Sequence, residues 1–258
     1  MNCNICCAKT DLFSTDKVLG NYEVKYFKCS DCGFIQTEKP YWLEESYSEA
    51  ITKNDVGMVS RNIALAKITK AIIPVFFDRK AKFLDYGGGY GLYVRMMRDF
   101  GYEFYWIDKY CQNIFARGFE AEAGKNYALL TAFEVFEHLA DPALKVGEML
   151  QFSRNILFTT ELVPDTDPKP TEWCYYGLEH GQHISFYKRK TLQALADRYQ
   201  LNLYSDDKSI HLMTENKLSE AFFKVIARNF VVRKMLGVIF KNESLLGHDY
   251  LKSIESGK

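Results

Sequence analysis

Between residues 83 and 108 a short apolar strand ends in Asp85, turns through Tyr86-Gly87-Gly88-Gly89-Tyr90-Gly91 into an amphipathic helix, and is followed by a second strand ending in Asp108. A glycine-packed turn between strand and helix lets the backbone approach a ligand where a Cβ would clash. A carboxylate at the tip of the next strand can accept from both hydroxyls of a ribose. The order strand, glycine loop, helix, strand, acid therefore predicts a βαβ unit that binds a nucleoside cofactor.

Glycine spacing separates the two cofactor classes that use such a loop. A dinucleotide fingerprint places a third glycine on the helix, but counting from Gly87 that position is Leu92, and from Gly89 it is Val94. An acid at position 85 would repel a pyrophosphate, whereas the ammonium of a sulfonium amino acid needs acceptors. The loop Asp85-x-Gly87-x-Gly89-x-Gly91 resembles motif I of the class I S-adenosylmethionine-dependent methyltransferases. That resemblance implies Asp85, Gly87, Gly88, Gly89, Gly91 and Asp108 as cofactor-binding residues.

At 258 residues the chain accommodates one α/β domain and a small appendage. Its 33 basic and 33 acidic residues cancel, which gives no general support for a nucleic-acid partner or an acidic membrane surface. The apolar runs, such as 71–77, are too short to span a bilayer, and the start has no basic region leading into an apolar one. The expectation is a cytoplasmic protein without membrane insertion; the sequence says nothing of oligomeric state.

Four of the seven cysteines form two Cys-x-x-Cys pairs, Cys3/Cys6 and Cys29/Cys32. Thiolates from two such knuckles can close a tetrahedral zinc site, and the intervening length suits a zinc ribbon. All four ligands would be spent on coordination, so the expected zinc is structural. Cys7 falls where a knuckle often has glycine and is expected outside the first shell.

Four segments follow: a zinc-binding module at 1–40, a helical linker or lid over the cofactor cleft at 41–80, a methyltransferase domain at 81–215 and a helical extension at 216–258. The module has strand-like segments at 22–27 and 34–37, and the linker a helix over 59–72 stopped by Pro74. From residue 82 strands and helices alternate: strand 82–86, helix 91–100, strand 103–108, helix 110–117, strand 127–132, helix 143–152, strand 155–160 and helix 191–199. A strand pair follows at 201–205 and 210–214, then one closing helix over 216–240. This alternation predicts a doubly wound, Rossmann-like α/β fold with ligands beyond the carboxyl ends of the strands. By resemblance the sheet has the seven strands of the methyltransferases, the last two antiparallel.

Two further constellations carry candidate chemistry. The strand ending at Ala132 runs into Phe133-Glu134-Val135-Phe136-Glu137-His138, which in a doubly wound sheet faces the same crevice as the glycine loop. In the resembling family the residues after this strand touch the methionyl part of the cofactor, which implies Phe133 and Glu134, with Glu137 and His138 beside them. After the next strand comes a connection of more than twenty residues holding Trp173, Tyr175, Tyr176, Gln182, His183 and Tyr187. Long connections in compact domains are commonly functional, and these rings and amides suit a substrate wall for a sugar or an aromatic acceptor.

The cysteine module, motif I with its Glu-His strand end, and Gly181-Gln182-His183-Ile184-Ser185-Phe186-Tyr187 together resemble bacterial methyltransferases of surface-polysaccharide and sugar biosynthesis. Transfer from a sulfonium is an in-line displacement that needs the acceptor held in place and, for a hydroxyl, its proton removed. His183 is the expected base, with His138 and Glu137 as positioning or relay groups, roles that could be exchanged. The leading expectation is O-methylation of a nucleotide-linked sugar or glycan. The alternatives are a sugar C-methyltransferase, whose relatives carry a further carboxy-terminal domain, an RNA methyltransferase, and a non-catalytic cofactor-binding scaffold.

Overall fold

The computed structural model describes residues 1–47 and 55–256. Part of the expected 41–80 lid, residues 48–54, lies outside the described residues. In chain order the strands are β1 (Thr10–Val18), β2 (Tyr22–Cys29), β3 (Ile35–Thr37), β4 (Lys82–Tyr86), β5 (Glu103–Ile107), β6 (Leu129–Ala132), β7 (Asn155–Thr159), β8 (Ser185–Phe186), β9 (Asn202–Ser205) and β10 (Ile210–Thr214). The helices are α1 (Leu43–Ser46), α2 (Met58–Phe76), α3 (Leu92–Asp99), α4 (Pro142–Met149), α5 (Arg189–Arg198), α6 (Glu220–Arg228), α7 (Phe230–Ile239) and α8 (Leu246–Ser256). One sheet has the order β1-β2-β3-β8 and the other β5-β4-β6-β7-β10-β9.

The second sheet has six strands where seven were expected. Outside β5 the missing edge strand is reduced to a single parallel bridge between Trp106 and Glu120, held by Trp106 N–H to Phe119 O at 2.8 Å and Ala121 N–H to Trp106 O at 2.8 Å. The helix expected at 110–117 is also absent. Asn113 takes over the local backbone groups there, its Oδ1 accepting from Ala116 N–H at 2.9 Å and its Nδ2 donating to Ala116 O at 2.8 Å. A side chain that satisfies the backbone in this way competes with the helical ladder.

The chain forms two compact contact units, which divide it differently from boundaries at 40, 80 and 215. One comprises Met1–Asn54, Phe133–Glu148 and Phe158–Asn216. Within it β3 pairs antiparallel with β2 on one side and with β8 on the other. Val24, Tyr26, Ile35, Trp42, Tyr176 and Phe186 form a common buried cluster. The cysteine hairpins and the Gly181–Tyr187 stretch therefore share one core, and burial of such large rings is the main driving force for joining them.

The other unit comprises Asp55–Ala132, Met149–Leu157 and Lys217–Lys258. β4 runs parallel to β5 and to β6, with Asp85 level with Trp106 on one side and Thr131 on the other. Phe83 and Leu84 are fully buried, as a central parallel strand requires. α2 continues through Pro74 instead of stopping before it. Proline removes the hydrogen bond to the carbonyl four residues back, and that carbonyl, Lys70 O, accepts from the Tyr102 hydroxyl at 3.2 Å. The closing helix is broken at Asn229, whose side chain caps α7 by accepting from Val231 and Val232 N–H. α8 is fixed by Arg98, which makes a two-pronged ion pair with Asp249 at 2.7 and 2.6 Å; both groups are buried. No helix among the described residues is long and apolar enough to cross a membrane.

Candidate active site

The glycine loop follows β4. A Cβ on Gly88 would lie 2.8 Å from the Trp106 ring and 2.9 Å from Asp85 Oδ2, so only glycine lets strand and loop approach this closely. Gly89 sits at φ +53 and a Cβ there would meet nothing within 4 Å, so the loop presents open backbone at that point. Its carbonyl accepts from Trp106 Nε1 at 2.9 Å and its N–H donates to Asp108 Oδ2 at 2.9 Å. Gly87 and Gly91 also have positive φ. The carboxylate of Asp108 caps the following turn as well, Oδ1 accepting from Tyr110 and Cys111 N–H at 2.7 and 2.8 Å. Oδ2 retains capacity for a further donor.

Asp85 is 3% exposed and accepts from the Thr131 hydroxyl at 2.7 Å. Burial pushes its pKa up to about 7, against the opposing pull of the Thr131 hydrogen bond and with added repulsion from Asp108. An ammonium brought to this carboxylate would restore its ionised form. Asp85, the open backbone at Gly89 and Asp108 are a donor and acceptor set that fits the methionyl and ribose parts of S-adenosylmethionine.

The other contact unit holds the residues after β6. Glu134 is forced to φ +54, unusual for a side chain with a Cβ; its N–H donates to Thr159 Oγ1 at 2.8 Å, and that hydroxyl donates to Glu134 Oε1 at 2.8 Å. Phe133 beside it is half-buried. Glu137 and His138 lie on a 3-10 turn, Phe136–His138, with Glu137 buried. Burial lowers the His138 pKa to about 4, against the raising effect of its bond to the Gln182 carbonyl. His138 Nδ1 lies 3.1 Å from Gln182 O and 3.1 Å from the Tyr47 hydroxyl. His183 Nδ1 lies 2.6 Å from Tyr175 O, which fixes the proton on Nδ1 and the lone pair on Nε2. The rings of His138 and His183 meet edge to face at 4.9 Å.

Of the five residues expected in a substrate wall, three are core. Tyr187 is fully buried and donates to Phe136 O at 2.7 Å; Tyr176 is buried and donates to Pro168 O at 3.2 Å; Gln182 is buried and donates to Ser46 O at 2.8 Å. Their rings and amides were drawn inside because this connection closes the core over the cysteine hairpins. Trp173 and Tyr175 are half-buried, their rings tilted at 34° with centroids 5.0 Å apart, and the Tyr175 ring also lies 4.8 Å from that of His183. Thr131, Thr159, Trp106 and Tyr47 were not anticipated. Their partners are distant in sequence, and no spacing rule marks them.

The four cysteines converge. Sγ of Cys3 lies 3.6 Å from that of Cys32, and Sγ of Cys6 lies 3.4 Å from that of Cys29. Bonds of about 2.3 Å to a tetrahedral zinc place sulfurs roughly 3.8 Å apart, so the set fits such a cation. The knuckles match: Cys7 at φ +65 and Gly33 at φ +75 occupy equivalent positions, donating to Cys3 O at 3.0 Å and Cys29 O at 3.2 Å. Cys7 is exposed and outside the four-sulfur cluster.

The strand order and the glycine loop after β4 define a nucleoside-cofactor α/β domain. The family profile of the methyltransferase domain matches residues 60–206, and the chain belongs to this family of S-adenosylmethionine-dependent methyltransferases. Among solved structures, the plantazolicin methyltransferase BpumL in complex with a monoazolic desmethylPZN analog and SAH is similar at 14% identity, covering 76% of this chain and 86% of that one, with a TM-score of 0.50. CalO1, a methyltransferase in calicheamicin biosynthesis solved in an SAH-bound form, has 14% identity, 68% coverage of this chain and a TM-score of 0.45; the match spans 60% of its length. An O-methyltransferase family 2 protein from Planctomyces limnophilus, in complex with apigenin, has 13% identity, covers 67% of this chain and 65% of that one, and has a TM-score of 0.42. A comparison with curated protein sequences gives no match.

Proposed function

We infer that the protein transfers the methyl group of S-adenosylmethionine to a hydroxyl of a sugar, nucleotide-linked or in a growing glycan, in the cytoplasm. The observation that carries this reading is His183. Its Nδ1–H is committed to the Tyr175 carbonyl, which leaves the lone pair on Nε2, and its ring lies 4.8 Å from that of Tyr175, which in turn packs against Trp173. A base must have such a lone pair and an acceptor ring needs aromatic faces. His138, with its pKa depressed by burial, suits a positioning group better than a base. As the hydroxyl oxygen bonds to the methyl carbon, the carbon–sulfur bond breaks, its electron pair stays on sulfur, and the hydroxyl proton passes to His183 Nε2.

Asp85, the loop from Gly87 to Gly91, and Asp108 would hold the cofactor, with Phe133 and Glu134 at its methionyl end. Cys3, Cys6, Cys29 and Cys32 would hold one zinc whose role is structural. Net charge of zero favours an uncharged or singly linked acceptor over an RNA backbone. Radiolabelled methyl transfer into nucleotide sugars and glycan fractions tests the substrate class, and label in RNA instead would overturn it. His183→Ala should lower turnover by roughly two to four orders of magnitude with cofactor affinity nearly intact. A wild-type rate in that variant would remove the base.

A further inference from the structure

Glu137, His138 and His183 offer ligand-type atoms that all lie within 4.8 Å of one another. We propose that these three side chains form a second metal site, which takes a divalent first-row cation such as Mn2+ or Fe2+ through the Glu137 carboxylate and the Nε2 atoms of both histidines.

Three observations on the same unit carry this. His183 Nδ1 lies 2.6 Å from Tyr175 O and His138 Nδ1 lies 3.1 Å from Gln182 O. A carbonyl only accepts, so His183 holds its proton on Nδ1 and its lone pair on Nε2; His138 has the same arrangement when its Nδ1–H is shared between the Gln182 carbonyl and the Tyr47 hydroxyl oxygen, both at 3.1 Å. That is the outer-shell arrangement that fixes metal-ligating imidazoles. The two segments that bring the ligands are also tied to each other, because Ile184 N–H donates to the Glu137 carbonyl at 2.8 Å. Finally, the donor set is two imidazoles and one buried carboxylate, without a thiol, which suits a first-row divalent cation with open positions. Bonds near 2.1 Å would draw the donors to roughly 3 Å apart, so loading contracts the trio by side-chain torsion.

The inference rests on reading this cluster as the acceptor side of the site, and it changes how the acceptor loses its proton. With a cation on Nε2 of His183, that lone pair would be spent on the metal, and the cation would take over from the imidazole the activation of the hydroxyl. Glu137, His138 and His183 would hold the cation, which would act as a Lewis acid on the acceptor hydroxyl; its proton would leave to water while the methyl carbon passes from sulfur to oxygen and the carbon–sulfur electron pair stays on sulfur.

The test uses the full chain with its cysteine site zinc-loaded, without cofactor or acceptor. Mn2+ is a poor partner for thiolates, so loss of its free EPR signal during titration reports the new site alone. One saturable Mn2+ per chain is expected, weakened at least tenfold by His183→Ala and by Glu137→Gln and unchanged in Cys7→Ser. Pulsed EPR of the wild type should show two imidazole nitrogens coupled to the bound ion, a readout that needs no variant to fold. Absence of a saturable site, or of nitrogen coupling, overturns the proposal. Mn2+ binding without methylation of any sugar would sink the functional reading alone. Full-rate methylation by metal-stripped protein that binds no Mn2+ would sink this inference alone.

Discussion

Thr131 donates its hydroxyl proton to Asp85 at 2.7 Å across neighbouring strands, and it does so to a carboxyl group whose pKa burial has lifted to about 7. In the proposed site only the ionised form would pair with the ammonium of the cofactor. Affinity for S-adenosylmethionine should therefore rise with pH, by about tenfold per unit below pH 7, and level off above it. Calorimetry in buffers of differing ionisation enthalpy should find proton release on binding at pH 6. A pH-independent affinity would detach Asp85 from the ammonium.

In the proposed site Asp108 would serve loop and ligand at once, because the oxygen that accepts from Gly89 N–H is also the one that would accept from a ribose hydroxyl. Asp108→Ala should weaken cofactor binding by about 1–3 kcal/mol. Unchanged affinity by calorimetry would show that the ribose lies elsewhere.

The cysteine knuckles are wired to the segment that carries His183. Cys32 O accepts from Thr191 Oγ1 at 2.7 Å, and Thr37 N–H donates to Ile184 O at 3.1 Å. Purified protein should contain one zinc per chain. Cys29→Ser should lose the metal and at least about tenfold in turnover, while cofactor affinity, proposed to rest chiefly on Asp85, the glycine loop and Asp108, changes little. Full metal content in that variant, or iron–sulfur absorbance in the wild type, would refute the zinc assignment.

His211 is fully buried between the Ser205 hydroxyl at 2.9 Å and the Thr160 carbonyl at 3.0 Å, and burial lowers its pKa to about 4. An unfolded histidine titrates near 6.5. Its contribution is thus present above pH 6.5 and lost as pH falls towards 4, because the unfolded chain takes up a proton that the folded one refuses. The difference in unfolding free energy between wild type and His211→Asn should shrink by roughly 1.4 kcal/mol per pH unit across that window. A constant difference would mean that His211 is not neutral in the fold.

Removing one partner of a buried ion pair strands the other. Asp249→Ala leaves the Arg98 guanidinium, 2% exposed, without its two-pronged acceptor, and should cost about 3–5 kcal/mol in denaturant unfolding. A loss below about 1 kcal/mol would mean that water or relaxation of α8 solvates Arg98 readily.

Much of this was legible in the sequence, and the limits have physical causes. β4 falls on residues 82–86 as expected, because a buried parallel strand is a short apolar run with clear punctuation, here Asp85 and the glycines. The cysteine pairs announced their convergence through spacing alone. Helix 110–117 failed because a single asparagine captured the backbone, and α2 ran past Pro74 because Tyr102, distant in sequence, took the orphaned carbonyl. Tyr176 and Tyr187 were misplaced on a substrate wall because a tyrosine in a polar stretch looks the same whether its hydroxyl meets a ligand or a backbone carbonyl.

The pairing of β3 with β8 also has a meaning in time. Ile35 must wait for Phe186, about 150 residues later in synthesis, before its strand acquires that neighbour. During that interval the nascent hairpins expose an unfilled strand edge, an invitation to wrong partners. Their four thiols are complete by residue 32. A metal captured then would hold the amino end in shape while the ribosome finishes the strand that it awaits.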